Sequence, residues 1–480
     1  MMPDRPNFLV IMTEQHRGDC LSIEDHPVLL TPNMDQIAGS GVRFRRAYST
    51  CPTCIATRRS FLSGQHPDTH GMVGYKSNVE WDAPPTMPQV LGDVGYHTYW
   101  AGRSIHQHPP RKRYGFDHMV FLGGADGDYR EWLERNTGET AGRHFGAGPM
   151  HNDWTARPWH LDEELHHTNW TIAQALEFLE KRDPSCPFFL CVSFLAAHPP
   201  LTPPAFYMER YLRQEPVKPH IGDWEEPPEN RGIGLDISDT RVQLEGEKLR
   251  SARAGYYGLI NHVDDQLRRL LSPVVGVRRQ TGDNTIVIFT SDHGEMLGDH
   301  YMWHKRVPYE GSARVPLLIS APPRFELETG RVSDAPVCHE DIMPTVLDMA
   351  GADIPDTVEG RSLLPMMQGD EPQWRDYLHI QHAPIHHTLT DGKHKYIWWV
   401  KDGREQLFDL VNDPNELHDL AATPEGKQKI HPWRRRLIEK LRDRPEGFSD
   451  GEKLIAGRDF PSALPHAGKE DQNARQRRIR

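Results

Sequence analysis

Apolar and polar positions follow two different periods along this chain. "NFLVIMT", from Asn7, is a continuous apolar run closed by polar residues, the pattern of a strand buried on both faces. "PFFLCVSFL" from Pro187 and "NTIVIFTSD" from Asn284 repeat it. Between them the period lengthens: "NWTIAQALEFLEK" from Asn169 is helical, and in "GYYGLINHVDDQLRRLL" from Gly255 the residues Leu259, Val263, Leu267 and Leu270 fall on one helix face. Strands alternating with helices predict an α/β fold with helices on both faces of the sheet, in which chemistry gathers beyond the carboxyl ends of the strands. Glu14 and Gln15 directly follow the first strand, and Asp292 and His293 follow the strand near 286–290. The four are therefore expected at one sheet edge.

Residues 198–230 carry "HPPLTPP" and "EEPPEN" and predict irregular backbone over the sheet. After about Trp374 the pattern changes to short strand-like runs, "YLHIQH", "HHTLTDG" and "KYIWWVKDGREQLFDL", with DG-type turns. A body over 1–374 and a small antiparallel subdomain over 375–480 are expected, the latter with a final helix near "PWRRRLIEKLRD". The last residues, "KEDQNARQRRIR", predict a solvated basic tail or a contact within a homo-oligomer.

Composition narrows the function. A chain of 480 residues, 37% hydrophobic and 26% charged, has the make-up of a globular protein in solution. Its longest apolar runs, such as "PFFLCVSFLAA", fall short of the roughly 20 residues that span a membrane. The amino terminus reaches an apolar strand too soon for a secretory signal, so a cytoplasmic location is expected, with the six cysteines mostly as thiols. A net charge of −12 argues against nucleic-acid binding, which needs a basic field. It leaves room for a local cationic pocket and a small anion.

Two cysteines lie three apart in "YSTCPTCIATRRSFLSGQHPDTHG", residues 48–71. Half of a zinc site would need a second CxxC or a His pair at suitable spacing, which the chain lacks. "CPTC" has the length of a redox pair, and packing residues are a further alternative. A more specific pattern starts at Cys54, with Ala56 two residues on, Arg58 four on, and "RSFLSG" following, whereas Cys51 has Ile55 in its fourth position.

That pattern resembles the signature of the type I sulfatases, Cys-x-(Pro or Ala)-x-Arg, whose cysteine is oxidised to formylglycine. "NFLVIMTEQHR", "GYHTYWAGRSIH", "AAHPPLTPP", "FTSDHGEMLGDH" and "WHKRVPYEGSARVPL" resemble the family's further segments in the same order. The resemblance implies the alkaline-phosphatase-like fold, a large mixed, mostly parallel sheet flanked by helices with a smaller antiparallel subdomain. It implies hydrolysis of a small organic sulfate ester by the formylglycine hydrate of Cys54, one of whose hydroxyls attacks sulfur while the other later expels sulfate. It also implies a formylglycine-generating maturation enzyme as partner.

By position, Glu14, Gln15, Asp292 and His293 match the metal ligands of the family. Calcium is implied first, with manganese or magnesium as alternatives, because an imidazole nitrogen suits calcium less than oxygen does. Arg58 matches the cation that orients the nucleophile, Lys305 the one that contacts sulfate, and His198 a general acid. Three departures stand out. Glu14 occupies a position where the family commonly has Asp, Arg103 replaces a lysine, and His106 lies one residue further along than the family's histidine, so that His108 could take its place. Two rival activities share these residues: hydrolysis of phosphonate monoesters or phosphodiesters by the same nucleophile, and silent anion binding with Cys54 left as a thiol.

Overall fold

The computed structural model describes residues 5–123, 127–138, 146–232, 239–281 and 283–471. Its main sheet has eight strands: β1 (Asn7–Glu14), β2 (Gly41–Phe44), β3 (His97–Gly102), β4 (His118–Phe121), β5 (Phe188–Ala197), β6 (Thr285–Ser291), β7 (Leu317–Ser320) and β8 (Arg331–Ser333). Their spatial order is β8-β2-β7-β6-β1-β5-β3-β4, and β7 alone runs antiparallel to its neighbours. All eight residues of β1 are buried. Alternate side chains enter opposite faces: Leu9 and Ile11 join one core with Val192 and Phe289, while Phe8, Val10 and Met12 join another with Phe189 and Ile288. This is why the strand reads as an unbroken apolar run.

Among the helices that cover these faces are α1 (Pro32–Gly39), α2 (Cys54–Ser63), α3 (His167–Lys181), α4 (Gly246–Leu270) and α5 (Ile342–Ala350). The first, third and fourth pack on the core of Leu9; the second and fifth pack on the core of Phe8. On α4, Leu259, Val263, Leu267 and Leu270 all lie in the core with no exposure, as their spacing predicts.

The carboxyl-terminal strands β9 (Leu378–His382), β10 (His386–Thr390), β11 (His394–Trp399) and β12 (Glu405–Asp409) form an antiparallel sheet in sequence order. Helix α6 (Pro424–Leu441) closes it, with Ile430, Trp433 and Leu437 packed on Tyr396, Trp398 and Leu407. The helix begins well before the position expected from the sequence. Thr423 caps it by accepting from Gly426 N–H at 3.0 Å, Pro424 opens its first turn, and Pro432 sits inside it rather than at its start.

Two further expectations are corrected. The proline-rich stretch contains a helix, Ala205–Leu212, because Pro204 pre-sets the entry and Tyr207 and Tyr211, four apart, pack towards α4. The stretch expected as a solvated tail is tied down at its start: Lys469 C=O accepts from Glu80 N–H at 2.8 Å and Asp471 N–H donates to Asn78 C=O at 2.9 Å. Residues 472–480 lie outside the described residues. Among the described residues no helix is long and apolar enough to cross a membrane. Truncating a fully buried core side chain tests this packing: Leu267→Ala should cost about 2–5 kcal/mol in equilibrium denaturant unfolding.

Candidate active site

The parallel register of the three central strands builds the site. Thr13 pairs with Ser291 and Glu14 with Ala197, so the residues just beyond β1, β5 and β6 emerge side by side. Glu14, Gln15, Asp292 and His293 have no exposure, and His198 follows at 6%. Gln15 N–H donates to Asp292 Oδ1 at 3.1 Å and locks two strand ends together. Gln15 itself takes a left-handed conformation, φ 64°, a costly state for a residue with a side chain and one that clusters at functional sites. After His293, a Cβ on Gly294 would lie 2.0 Å from the Gly311 carbonyl oxygen, so only glycine fits that approach.

Cys54 enters from α2, where it is the first helical residue. No side chain caps this helix N-terminus, and all ten residues of α2 are buried. Arg59 anchors the helix through Gln107 Oε1 at 2.9 Å and the carbonyls of Ala467 at 2.8 Å, Val79 at 3.2 Å and His70 at 3.3 Å. That places Cys54 Sγ 3.1 Å from Glu14 Oε1 and 3.2 Å from His293 Nε2. Burial, then the Glu14 carboxylate, push the thiol pKa well up. Cys51 lies instead in an apolar pocket with Ile55, Ala56 and Met72, and both cysteines are free thiols.

The cations are arranged in pairs. Arg58 donates from Nε to Asp292 Oδ2 at 3.3 Å and from Nη1 to Ser193 Oγ at 3.1 Å, while its buried Nη2 has no partner. Arg103 spans both oxygens of Glu14, with Nη2 3.3 Å from Oε1 and Nε bonded to Oε2. Two departures from the family pattern, Glu14 and Arg103, therefore meet each other. Burial alone would raise the Glu14 pKa; the charge of Arg103, with Arg58 behind it, overrides it and holds the carboxyl well below the usual range. Lys305 Nζ donates to Gln15 Oε1 at 2.6 Å.

The histidines are oriented by backbone carbonyls. His293 Nδ1 lies 3.0 Å from Gly294 C=O, which can only accept, so the proton sits on Nδ1 and the Nε2 lone pair faces Cys54. His198 Nδ1 lies 2.6 Å from Pro199 C=O and is fixed in the same way. Burial, then Lys305, hold His198 neutral. The one-residue offset of His106 does not remove it from the site: a ring nitrogen of His106, a Glu14 oxygen and Cys54 Sγ lie within 4.8 Å of one another, and its buried Nδ1 lacks a partner. His106 itself takes a left-handed conformation, φ 64°. His108 turns away to pair with Asp471 at 3.2 Å, so it does not take that place.

Sequence reasoning missed Glu295, whose carboxylate accepts from the Gln15 amide and from the backbone of Leu297 and His304. Its position three residues after Asp292 was the available signal. Tyr75 and His151 were also missed; His151 lies 5.8 Å ring to ring from His198, and Tyr75 lies 6.2 Å from His106. Both sit in stretches without periodicity.

Known proteins place this arrangement in a class. The sulfatase family model matches residues 6–352, and that of the N-sulphoglucosamine sulphohydrolase carboxyl-terminal region matches 298–443. An arylsulfatase of Clostridium perfringens is 38% identical, covering 96% of this chain and 99% of its own length. A choline-sulfatase of Rhizobium meliloti is 30% identical over 89% of this chain and 84% of its own. Among solved structures, the phosphonate monoester hydrolase of Agrobacterium radiobacter superposes with a TM-score of 0.75 at 26% identity, covering 91% of this chain and 95% of that one. Fold and site together define an alkaline-phosphatase-like hydrolase of sulfuric esters. The chain belongs to the sulfatase family.

Glu295 gives the site a pH signature. Burial would raise its pKa, but the His304 ring 3.6 Å away and the backbone N–H groups of Leu297 and His304 hold it at about 2. A depressed folded-state pKa contributes stability above the unfolded value of about 4 and loses it as pH falls through about 2, here on the order of 3 kcal/mol. Glu295→Gln should flatten the acid limb of stability between about pH 4 and pH 2, read by denaturant unfolding across that range.

Proposed function

We propose that this sulfatase hydrolyses the sulfate ester of a carbohydrate, aryl or small alkyl alcohol, with Cys54 matured to formylglycine by a formylglycine-generating enzyme and one divalent ion held by Glu14, Gln15, Asp292 and His293. The observation that carries this reading is the meeting of Cys54 Sγ with Glu14 Oε1 and His293 Nε2, at 3.1 and 3.2 Å, at an uncapped helix N-terminus. The donor set fits a divalent ion: two buried carboxylates, an amide oxygen and an imidazole whose Nε2 lone pair is free to ligate. Its oxygen-rich character favours calcium, and the single nitrogen keeps manganese and magnesium as alternatives. Formylglycine with its ion supplies an activated hydroxyl nucleophile and a second hydroxyl that releases sulfate.

The chain's own groups do the rest. The positive end of α2, which carries the nucleophile, and the buried, unpartnered Arg58 Nη2 are available to stabilise oxyanion charge. Lys305 spends one N–H on Gln15 and has two left for sulfate oxygens. Arg103, fixed by its fork on Glu14, keeps positive charge there but does not transfer a proton. His198, with its Nδ1 proton hydrogen-bonded to the Pro199 carbonyl, presents a bare Nε2; the negative charge of an arriving sulfate ester raises its proton affinity so that Nε2 takes up a proton from solvent, which it gives to the leaving alcohol. His106, through its open Nδ1, accepts the proton released as sulfate departs.

A second reading, phosphonate monoester or phosphodiester hydrolysis, is favoured by the similarity to the Agrobacterium enzyme. Matured protein should turn over 4-nitrophenyl sulfate with a higher kcat/KM than bis(4-nitrophenyl) phosphate. Cys54→Ala should lower that activity by about 10³-fold or more while the thermal unfolding temperature holds. A chelator should abolish turnover and added ion restore it, with the order of restoring ions naming the metal. A higher kcat/KM on the diester selects the second reading, and turnover retained by Cys54→Ala contradicts the nucleophile.

A further inference from the structure

Four cations surround the site, and three have partners: Arg58 bonds Asp292, Arg103 bonds Glu14, and Lys305 bonds Gln15. Arg306 is the fourth. Its guanidinium lies over the Tyr75 ring, 5.0 Å from the centroid, and forms no ion pair with a carboxylate among the described residues. Neutral groups stand near it among the described residues. Burial, then Arg306 itself, hold His382 at about 3, and both ring nitrogens of His382 are buried without a partner. Burial keeps His386 well below its ordinary value and pushes the Cys51 thiol up to about 12.

The backbone aims this cation deliberately. His304 and Arg306, on either side of Lys305, have φ of 69° and 82°, a region that costs about 1–3 kcal/mol for a residue with a Cβ. The surroundings, not local preference, set the direction of Arg306. From it a continuous row leads inward: Tyr75 packs edge-on against His106 at 6.2 Å, and a His106 nitrogen lies within 4.8 Å of Cys54 Sγ. Arg306, Tyr75 and His106 are half-buried, whereas Cys54 and Glu14 are closed off, so the row runs from the rim to the nucleophile.

We infer that Arg306, seated on Tyr75, is the subsite for a second oxyanion on the alcohol portion of the substrate, a carboxylate or a further sulfate, so that the preferred sulfate esters are dianions. The inference rests on the sulfate-ester reading above and adds the substrate class. A guanidinium presents a planar fork that takes two oxygens of such a group at once, and the three paired cations leave it free to do so.

The test uses 4-carboxyphenyl sulfate, its methyl ester, and hydroquinone bis-sulfate. Arg306→Gln should lower kcat/KM on the carboxylate or the bis-sulfate about ten- to hundredfold more than on the methyl ester, because a charge-assisted bond is lost only there. Arg306→Lys should recover part of the difference, and the substrate with the larger loss identifies which oxyanion the subsite takes. Turnover of the methyl ester by each variant controls for folding. Equal losses on the dianionic substrates and on the monoanionic methyl ester overturn the inference. If wild-type protein hydrolyses none of the three, the sulfate-ester reading fails first; calorimetric binding of 4-carboxyphenyl sulfate to Cys54→Ala protein with and without Arg306→Gln then decides the subsite, and equal affinities overturn it.

Discussion

Two carboxylates with no solvent exposure, Glu14 and Asp292, stand side by side at the ends of adjacent parallel strands. An ionised group in such a place costs several kcal/mol unless it is compensated. The surrounding structure supplies that compensation. Arg103 forks onto one carboxylate and Arg58 bonds the other, while the Gln15 and His293 backbone amides donate to Asp292. The same arrangement is a ready site for a cation and an anion together, since paired carboxylates attract a divalent ion and the remaining guanidinium arm attracts an oxyanion.

Rigidity follows from how the parts are joined. The sheet fixes the metal-facing residues through backbone register, and α2 fixes Cys54 through the Arg59 bonds. One of those bonds reaches Ala467, near the end of the described chain, and Leu464 N–H donates to Gly71 C=O at 2.7 Å. The carboxyl-terminal segment thus braces the helix that carries the nucleophile. Four of the non-glycine residues with positive φ, Gln15, His106, His304 and Arg306, lie beside charged groups of the site.

Much of this was legible in the sequence because periodicity reports burial. β1, β5 and β6 are covered on both faces and read as apolar runs, and the α4 stripe matches its core contacts. The ten candidate residues came from motif order, and the fold brings them close together. What the sequence hid was set by long-range contact. The helix at Ala205–Leu212 looked irregular because prolines surround it, yet Tyr207 and Tyr211 find buried places beside α4. The pairing of Glu14 with Arg103 joins residues 89 apart, and no local pattern announces it. His106 looked misplaced because spacing along the sequence does not reveal that its ring nitrogen lies within 4.8 Å of Cys54 Sγ and a Glu14 oxygen.

The account turns on the identity of the nucleophile. The most direct measurement is mass spectrometry of the tryptic peptide carrying Cys54, from protein made together with an active formylglycine-generating enzyme. The account predicts a peptide about 18 Da lighter than the thiol form, and one that reacts with a hydrazide. An unmodified thiol, with the enzyme active on a control substrate, would contradict it.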